Sequence, residues 1–331
     1  MDCLITKLKG RVSDDTLPVL GRMYISVSQQ ESPSSATQKL VITSSEAQTI
    51  SVEGGAENLT TDESMSSNWV SSIDLVPNLE TTVYCKNGDY KIIIPDKYSI
   101  TRIGKWDSNI NSAAISLNID DFKYSNGFKG IFLGSGAHIY GDLSSMKGKP
   151  INLLASLNNI TGKISDINNI CWATWTGYIG IIINGESILT GNLSDLTHTE
   201  YSDVVTRLSL QRNNKDFNIA GDISVLGTVF PNLTYLNLSG VSMNVNNITG
   251  NIEDLTMPLE TLVIYNSNIE GSIESFVATQ RAKGRTNGSC SNGGWWGNKI
   301  TFKGSAPTKN TIDTLTWTST QITFCDETID A

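Results

Sequence analysis

The sequence predicts a mainly β fold: a short parallel-strand solenoid with β caps and a small N-terminal β domain. The first observation is a five-residue motif, apolar–x–Gly–x–apolar, which occurs six times in the second half of the chain. Its glycines, separated by 21, 29, 30, 29 and 21 residues, are Gly141, Gly162, Gly191, Gly221, Gly250 and Gly271. The second observation is a composition rich in Asn, Ser, Thr, Gly and Ile, which favours strands and turns. A motif recurring at this spacing is typical of a solenoid, whose turns bury their apolar sides against one another.

Residues 1–55 are predicted to form an N-terminal β unit that docks the protein. Cys3–Thr6, Met23–Val27 and Lys39–Thr43 have strand-like composition and are separated by Gly, Pro and polar residues. Residues 56–105 are predicted to form a linker and a capping hairpin. Within them, Asn87-Gly88 lies between two strand-like runs, which is a strong hairpin signal.

The solenoid is predicted to span residues 106–283. Each motif glycine is expected to adopt a left-handed or turn conformation, with its apolar neighbours buried on either side. Ile160, Ile219 and Ile248 are expected to stack in one column. Residues 272–282 are predicted to form a helix, because Ile273, Phe276 and Val277 share one helical face.

Residues 284–331 are predicted to form a C-terminal β cap that covers the last edge of the solenoid. Trp295 and Trp296 lie in a Gly/Asn-rich loop of this segment and are the candidate ligand contacts. Exposed tryptophans stack on sugar rings or anchor interfaces. The alternative, which the pattern favours, is that both rings pack over the end of the solenoid.

Composition and charge argue against several classes of function. A net charge of -9 is unfavourable for a protein that follows nucleic-acid phosphates. The five cysteines are scattered without a Cys-x-x-Cys pair, which indicates buried, reduced residues rather than a zinc site or a disulfide framework. The start of the chain lacks a secretory signal and no run of eighteen apolar residues occurs, so we expect synthesis in a cytoplasm and no membrane insertion.

The sequence predicts no catalytic, metal-binding or cofactor-binding residues. His138 and His198 are the only histidines, and neither lies in a known catalytic or metal-binding motif. The acidic pairs Asp14-Asp15 and Asp120-Asp121 are interpreted as solvated loop residues. A glycosidase would need two carboxylates facing each other across a sugar. We therefore expect a protein that is not an enzyme.

The repeats resemble those of leucine-rich-repeat proteins. Residues 259–269 follow the pattern Leu-x-x-Leu-x-Ile-x-x-Ser-x-Ile, and related frames begin at Val205 and Leu233. The apolar–x–Gly–x–apolar motif is similar to the Leu-x-Gly-x-Ile half of such repeats, although Ser or Glu replaces the proline that usually follows. The resemblance implies a leucine-rich-repeat-like solenoid whose broad strand face contacts proteins or glycans.

The terminal segments resemble virion-associated proteins of crAss-like phages that infect gut Bacteroidales. The segments that carry this resemblance are Cys3–Gly10, Leu17–Gly21, Asp96–Thr101, Ile300–Gly304 and Leu315–Thr318. It implies a virion structural protein, either a head fibre or another surface appendage. The protein would be made in the host cytoplasm and located in the virion.

In this interpretation, residues 1–55 bind other virion proteins of the capsid or an appendage. The solenoid then presents a surface to a host-surface glycan or protein. A homo-oligomer, trimer or dimer, is expected because fibres are generally symmetric. Two alternatives remain open: a secreted or cell-surface leucine-rich-repeat adhesin of a bacterium, and a glycan-depolymerising tail protein.

Overall fold

The computed structural model confirms the mainly β fold with parallel strand stacking. It describes residues 21–29, 37–64, 68–105, 114–134, 136–173, 178–211, 216–239, 247–259, 261–264, 268–270, 289–291 and 322–323. The predicted helix at residues 272–282 lies outside these ranges. The chain divides into two compact units, residues 1–159 (unit 1) and 160–331 (unit 2), at a boundary that the sequence did not indicate.

Unit 1 contains two sheets, and successive strands alternate between them. The odd-numbered strands, in the order β11-β9-β1-β7-β3-β5, form sheet 1A: β1 (Met23–Val27), β3 (Gln48–Val52), β5 (Ser72–Leu75), β7 (Tyr90–Ile94), β9 (Ile115–Asn118) and β11 (His138–Asp142). The even-numbered strands, in the order β12-β10-β8-β2-β6-β4, form sheet 1B: β2 (Thr37–Ser44), β4 (Leu59–Thr60), β6 (Glu80–Lys86), β8 (Ile100–Gly104), β10 (Gly130–Phe132) and β12 (Leu153–Leu157).

The predicted hairpin around Asn87-Gly88 does not form. The strand before this turn, β6, pairs with β2 and β4 in sheet 1B. The strand after it, β7, pairs with β1 and β3 in sheet 1A. The turn therefore carries the chain from one sheet to the other, because each strand finds its partners in distant parts of the sequence.

The strands predicted within residues 1–55 share their sheets with later strands of unit 1. β1 pairs antiparallel with both β7 and β9, and β2 pairs antiparallel with β6 and β8. Next to them, β9 pairs parallel with β11, and β10 pairs parallel with β8 and β12. The antiparallel strands thus cover the first parallel turns, which is the physical task of a cap.

Unit 2 repeats one pattern, in which two parallel strands per turn are joined by short helical segments. Sheet 2A contains β13 (Asn159–Lys163, with residues 160–163 in this unit), β15 (Ile188–Asn192), β17 (Asn218–Asp222), β19 (Asn247–Asn251) and β21 (Asn268–Glu270). Sheet 2B contains β14 (Gly180–Ile183), β16 (Arg207–Leu210), β18 (Tyr235–Asn237), β20 (Thr261–Val263), β22 (Ser289–Ser291) and β23 (Ile322–Thr323). Only β23 pairs antiparallel, with β22, so the described part of the predicted C-terminal cap extends sheet 2B.

The helical segments are short. One α-helix, α1 (Ser224–Val229), follows β17. The described 3-10 segments are Glu53–Gly55, Lys97–Ser99, Ile119–Phe122, Leu143–Met146, Ile164–Asn169, Leu193–Asp195, Ser202–Val204 and Ile252–Asp254. Those at Leu143, Ile164, Leu193 and Ile252 begin at the last apolar residue of a motif, and the preceding side chain caps two of them. The side chains of Asp142 and Asn192 accept hydrogen bonds from the Ser144 and Ser194 amides, each at 2.9 Å.

The motif isoleucines are buried, but they do not stack directly on one another as expected. In unit 2 the parallel strands are staggered by two residues per turn. As a result, Leu189 lies beside Gly162, Ile219 beside Gly191, and Ile248 beside Gly221. A stagger of two keeps the same face of each strand inward, since side chains alternate with period two.

The stagger explains why the middle motif residue is glycine. Gly141, Gly162, Gly191, Gly221 and Gly250 have φ angles between 114° and 139°, which side chains rarely tolerate. A Cβ atom on Gly191 would lie 2.8 Å from Cγ2 of Ile164, the last motif residue of the preceding turn. Glycine thus makes room for its neighbour's isoleucine; Gly271 lies outside the described residues.

The side chains of two cysteines are described, and they differ. Cys85 is a buried free thiol, in agreement with the sequence-based prediction. Cys171 takes part in a disulfide, which contradicts the expectation of reduced cysteines. Cysteine spacing alone gave no indication of this pairing, because disulfide partners are brought together by the fold rather than by the sequence.

Candidate functional site: exposed strand faces

The sequence-predicted contacts Trp295 and Trp296 lie outside the described residues. Of the two histidines, His138 contacts the Asn159 amide at 3.1 Å and His198 pairs with Asp203 at 2.9 Å, both at the surface. Asp120 accepts hydrogen bonds from the Asp142 amide and the Ser145 hydroxyl, so it holds two turns together. Within the described ranges, no cluster of three or more His, Cys, Asp or Glu side chains is placed to bind a metal ion.

The outer face of sheet 2B carries a stack of three side chains. The Arg207 guanidinium lies 3.4 Å from the ring centroid of Tyr178 and 4.9 Å from that of Tyr235. Arg207 and Tyr235 are register partners on β16 and β18. Tyr178, at one end of the stack, is 40% exposed. Cation–π contacts of this kind fix the orientation of an otherwise mobile tyrosine.

Glycine again makes this arrangement possible. Gly180 is the register partner of Arg207 on β14, and a Cβ atom there would overlap the Arg207 backbone carbonyl. Glycine at this position lets β14 approach β16 closely, two residues after Tyr178. On the inner face, Ile181, Leu208 and Leu236 are buried and anchor the three strands.

A second exposed face lies on sheet 1A of unit 1. Across β11, β9, β1 and β7, His138, Ser116, Ser26 and Lys91 are successive register partners. One step along the strands, Tyr140 is the partner of Asn118 on β9. Continuing the β1–β9 register brings Tyr24 level with Asn118 on its other side.

Burial shifts the pKa of several groups in unit 1, among them Lys149 and Cys85, which lie away from these faces. Lys149 donates to the carbonyls of Lys123 and Ser125 at 2.7 and 3.1 Å, and desolvation lowers its pKa to about 8. Desolvation raises the pKa of the Cys85 thiol to about 12. Both groups point into the protein, which indicates roles in packing and in hydrogen bonding to the backbone rather than in chemistry on a ligand.

The sequence did not single out these surface residues. Tyr178, Arg207 and Tyr235 become neighbours only when consecutive turns are aligned on their sheet 2B strands. The repeat was recognised from sheet 2A motifs instead. Tyr24 and Tyr140 come from strands that are far apart in sequence, and β9 lacks the motif glycine that would have revealed it.

No known protein family, curated protein or solved structure matches this chain. Among the described residues, none of the helices has the length and apolar character needed to cross a membrane.

Proposed function

We propose that this protein is a non-enzymatic virion structural protein of a phage, a head fibre or other surface appendage, that presents rigid strand faces for contact with a partner. The terminal segments supply the phage resemblance, and the fold supports a presenting role. The observation that carries the presenting role is the stack of Tyr178, Arg207 and Tyr235 on sheet 2B.

The stack is suited to contact because it is pre-organised. The backbone of β16 and β18 is fixed by parallel pairing, and the guanidinium lies between the two rings. A rigid exposed tyrosine loses little conformational entropy when a partner covers it, and such residues dominate binding energy at interfaces. The solenoid thereby provides a fixed surface on which turn-to-turn substitutions alter recognition without altering the fold.

The assignment is tested by quantitative mass spectrometry of purified phage particles and of host envelopes from the same culture. We expect the protein to be recovered with particles at a fixed ratio to the major capsid protein. Recovery only with the host envelope would contradict the assignment and favour a bacterial adhesin. Release of reducing ends from host polysaccharide by the purified protein would contradict the non-enzymatic role.

Docking through residues 1–55 stays a proposal, and the structure decides how to test it. Deleting residues 1–52 would remove β1, β2 and β3, whose partners include β5–β9, so unit 1 would lose strands from both sheets. A deletion of residues 1–20 leaves every described strand in place. We expect this shorter chain to fold but to be lost from particles; full incorporation would show that residues 1–20 are not needed for docking.

A further inference from the structure

The outer face of sheet 1A combines exposed rings with a floor of small polar side chains. We define the aromatic platform by its outward residues on three adjacent strands: Tyr24 and Ser26 on β1, Ser116 and Asn118 on β9, and His138 and Tyr140 on β11. Tyr24 and Tyr140 are 41% and 40% exposed. The alternate residues Ile25, Leu117 and Ile139 are fully buried, so the backbone beneath the platform is held by the core.

The two tyrosines are spaced by the sheet itself. They lie on β1 and β11, with β9 between them, so two strand spacings separate their backbones by about 10 Å. Asn118 lies between them, and Ser26 and Ser116 are partners in the next row. His138 packs against Tyr140 with ring centroids 5.5 Å apart and is held on its other side by Asn159.

This chemistry matches a sugar chain better than an apolar protein surface. The C–H face of a pyranose stacks on an aromatic ring, while its hydroxyls need hydrogen-bond donors and acceptors at the rim. The platform offers both: two rings, the Ser26 and Ser116 hydroxyls, the Asn118 side-chain amide and the His138 imidazole. The Asn118 side-chain oxygen already accepts from the Asp120 amide at 2.9 Å, so its NH2 group is the donor that faces a ligand. A disaccharide unit is about as long as the tyrosine separation of roughly 10 Å.

The charges around the platform favour a neutral ligand. Lys91, at the edge of the Ser26 row, lies 3.8 Å from Glu53, so its charge is balanced within the protein. The same ammonium lies over the Tyr24 ring, 5.6 Å from its centroid, and holds the ring by a cation–π contact. None of the six platform residues is acidic or a permanent cation.

We propose that the aromatic platform binds neutral glycans, with one pyranose ring on Tyr24 and another on Tyr140. The inference rests on the proposed function in that it supplies the host-surface ligand of a virion protein. It differs in location, because it assigns glycan recognition to unit 1 rather than to the solenoid face of unit 2.

The test is isothermal titration calorimetry of the full chain against soluble neutral oligosaccharides (gluco-, manno-, galacto- and xylo-oligosaccharides), with an acidic uronate oligomer as a further probe. We expect one neutral class to bind, and Tyr24→Ala and Tyr140→Ala each to weaken binding about three- to tenfold. Tyr24→Phe and Tyr140→Phe should restore most of the affinity because the stacking ring is retained. Tyr124→Ala is the matched control, since Tyr124 is 68% exposed in unit 1 but lies off the platform.

Thermal unfolding of each variant by circular dichroism establishes that a loss of binding is not a loss of fold. Absence of binding to every neutral oligosaccharide, binding only to the uronate oligomer, or binding by both alanine variants as tight as that of the wild type would overturn the inference. Particle recovery of the Tyr24→Ala/Tyr140→Ala double variant distinguishes the two proposals. A variant that is incorporated but no longer binds glycan supports both; a protein that binds glycan but is absent from particles contradicts only the virion assignment.

Discussion

At the scale of single residues, three glycines, of which only Gly141 belongs to the motif, separate backbone strain from steric overlap. Gly54 has a φ of 80° with nothing near its missing Cβ, whereas Gly127 has no such φ and an ordinary contact at 3.7 Å. Gly141 combines a φ of 121° with overlap onto Asn118 and Ile119. Alanine at Gly54 therefore introduces backbone strain alone, and alanine at Gly141 introduces strain together with steric overlap. Alanine at Gly127 introduces neither and serves as the reference.

We expect Gly127→Ala to be near neutral and Gly54→Ala to cost about 1–3 kcal/mol from backbone strain. Gly141→Ala should cost more than Gly54→Ala because the neighbouring turn must also move. Urea unfolding followed by circular dichroism measures the free energies. Equal costs for Gly54→Ala and Gly141→Ala would show that the approach of adjacent turns does not constrain the motif.

Lys149 predicts a pH dependence. Burial lowers its pKa to about 8, below the ordinary lysine value of about 10.4. Between these two values the unfolded chain binds the extra proton, so this residue makes the free energy of unfolding rise with pH across that window. Lys149→Met should flatten that rise and also cost about 1–3 kcal/mol, because two carbonyls lose their donor.

The measurement is urea unfolding of wild type and variant at intervals from pH 7 to 10.5. Lys147→Met is the control, because Lys147 is exposed in the same loop. A pH profile of Lys149→Met parallel to that of wild type would contradict the assigned role of Lys149.

At the scale of elements, the repeats contain capped and uncapped versions of the same turn. Asn192 accepts from the Ser194 amide and belongs to a capping box with Asp195, whereas Asn251 has no side-chain capping bond. We expect Asn192→Ala to lower the free energy of unfolding by about 1 kcal/mol and Asn251→Ala to change it little. Thermal melts of both variants test this, and equal losses would show that the cap bond itself contributes nothing measurable.

The elements also show what sequence patterns can and cannot predict. Each motif indicates a strand, the turn that follows it and the buried face, so the described sheet 2A strands could be predicted from the sequence. β1 and β2 could be predicted from their strand-like composition. The Asn87-Gly88 hairpin could not be judged locally, because β6 and β7 prefer partners that lie elsewhere in the chain. The surface faces depend on register between turns, so Tyr178 and Arg207, or Tyr24 and Tyr140, gave no local signal.

At the scale of the whole molecule, Cys85 reports on the integrity of unit 1. Its thiol is fully buried, and burial raises its pKa to about 12. We expect no alkylation of Cys85 by iodoacetamide at pH 8 under native conditions, because the reactive thiolate is neither formed nor accessible. Labelling should begin at the urea concentration at which strand content is lost, read by peptide mass spectrometry. Rapid labelling without denaturant would mean that unit 1 opens independently of global unfolding.

The same peptide maps test the disulfide of Cys171. We expect Cys171 to stay unlabelled after urea unfolding and to become labelled only when a reductant is added. Labelling in urea alone would show that the thiol is free.

The two-residue stagger has a further consequence for how such a chain can grow. Ile139, the first motif residue of β11, lies beside Leu117 of β9. In later turns the first motif residue lies beside a glycine of the preceding strand. A copied repeat inserted before β9 would set its last isoleucine against the Leu117 side chain, whereas the antiparallel strand β1 tolerates it. Leu117 therefore acts as a stop. A further turn of the same motif therefore does not fit on the N-terminal side of β9, and the repeat series has a built-in polarity that its regular sequence does not reveal.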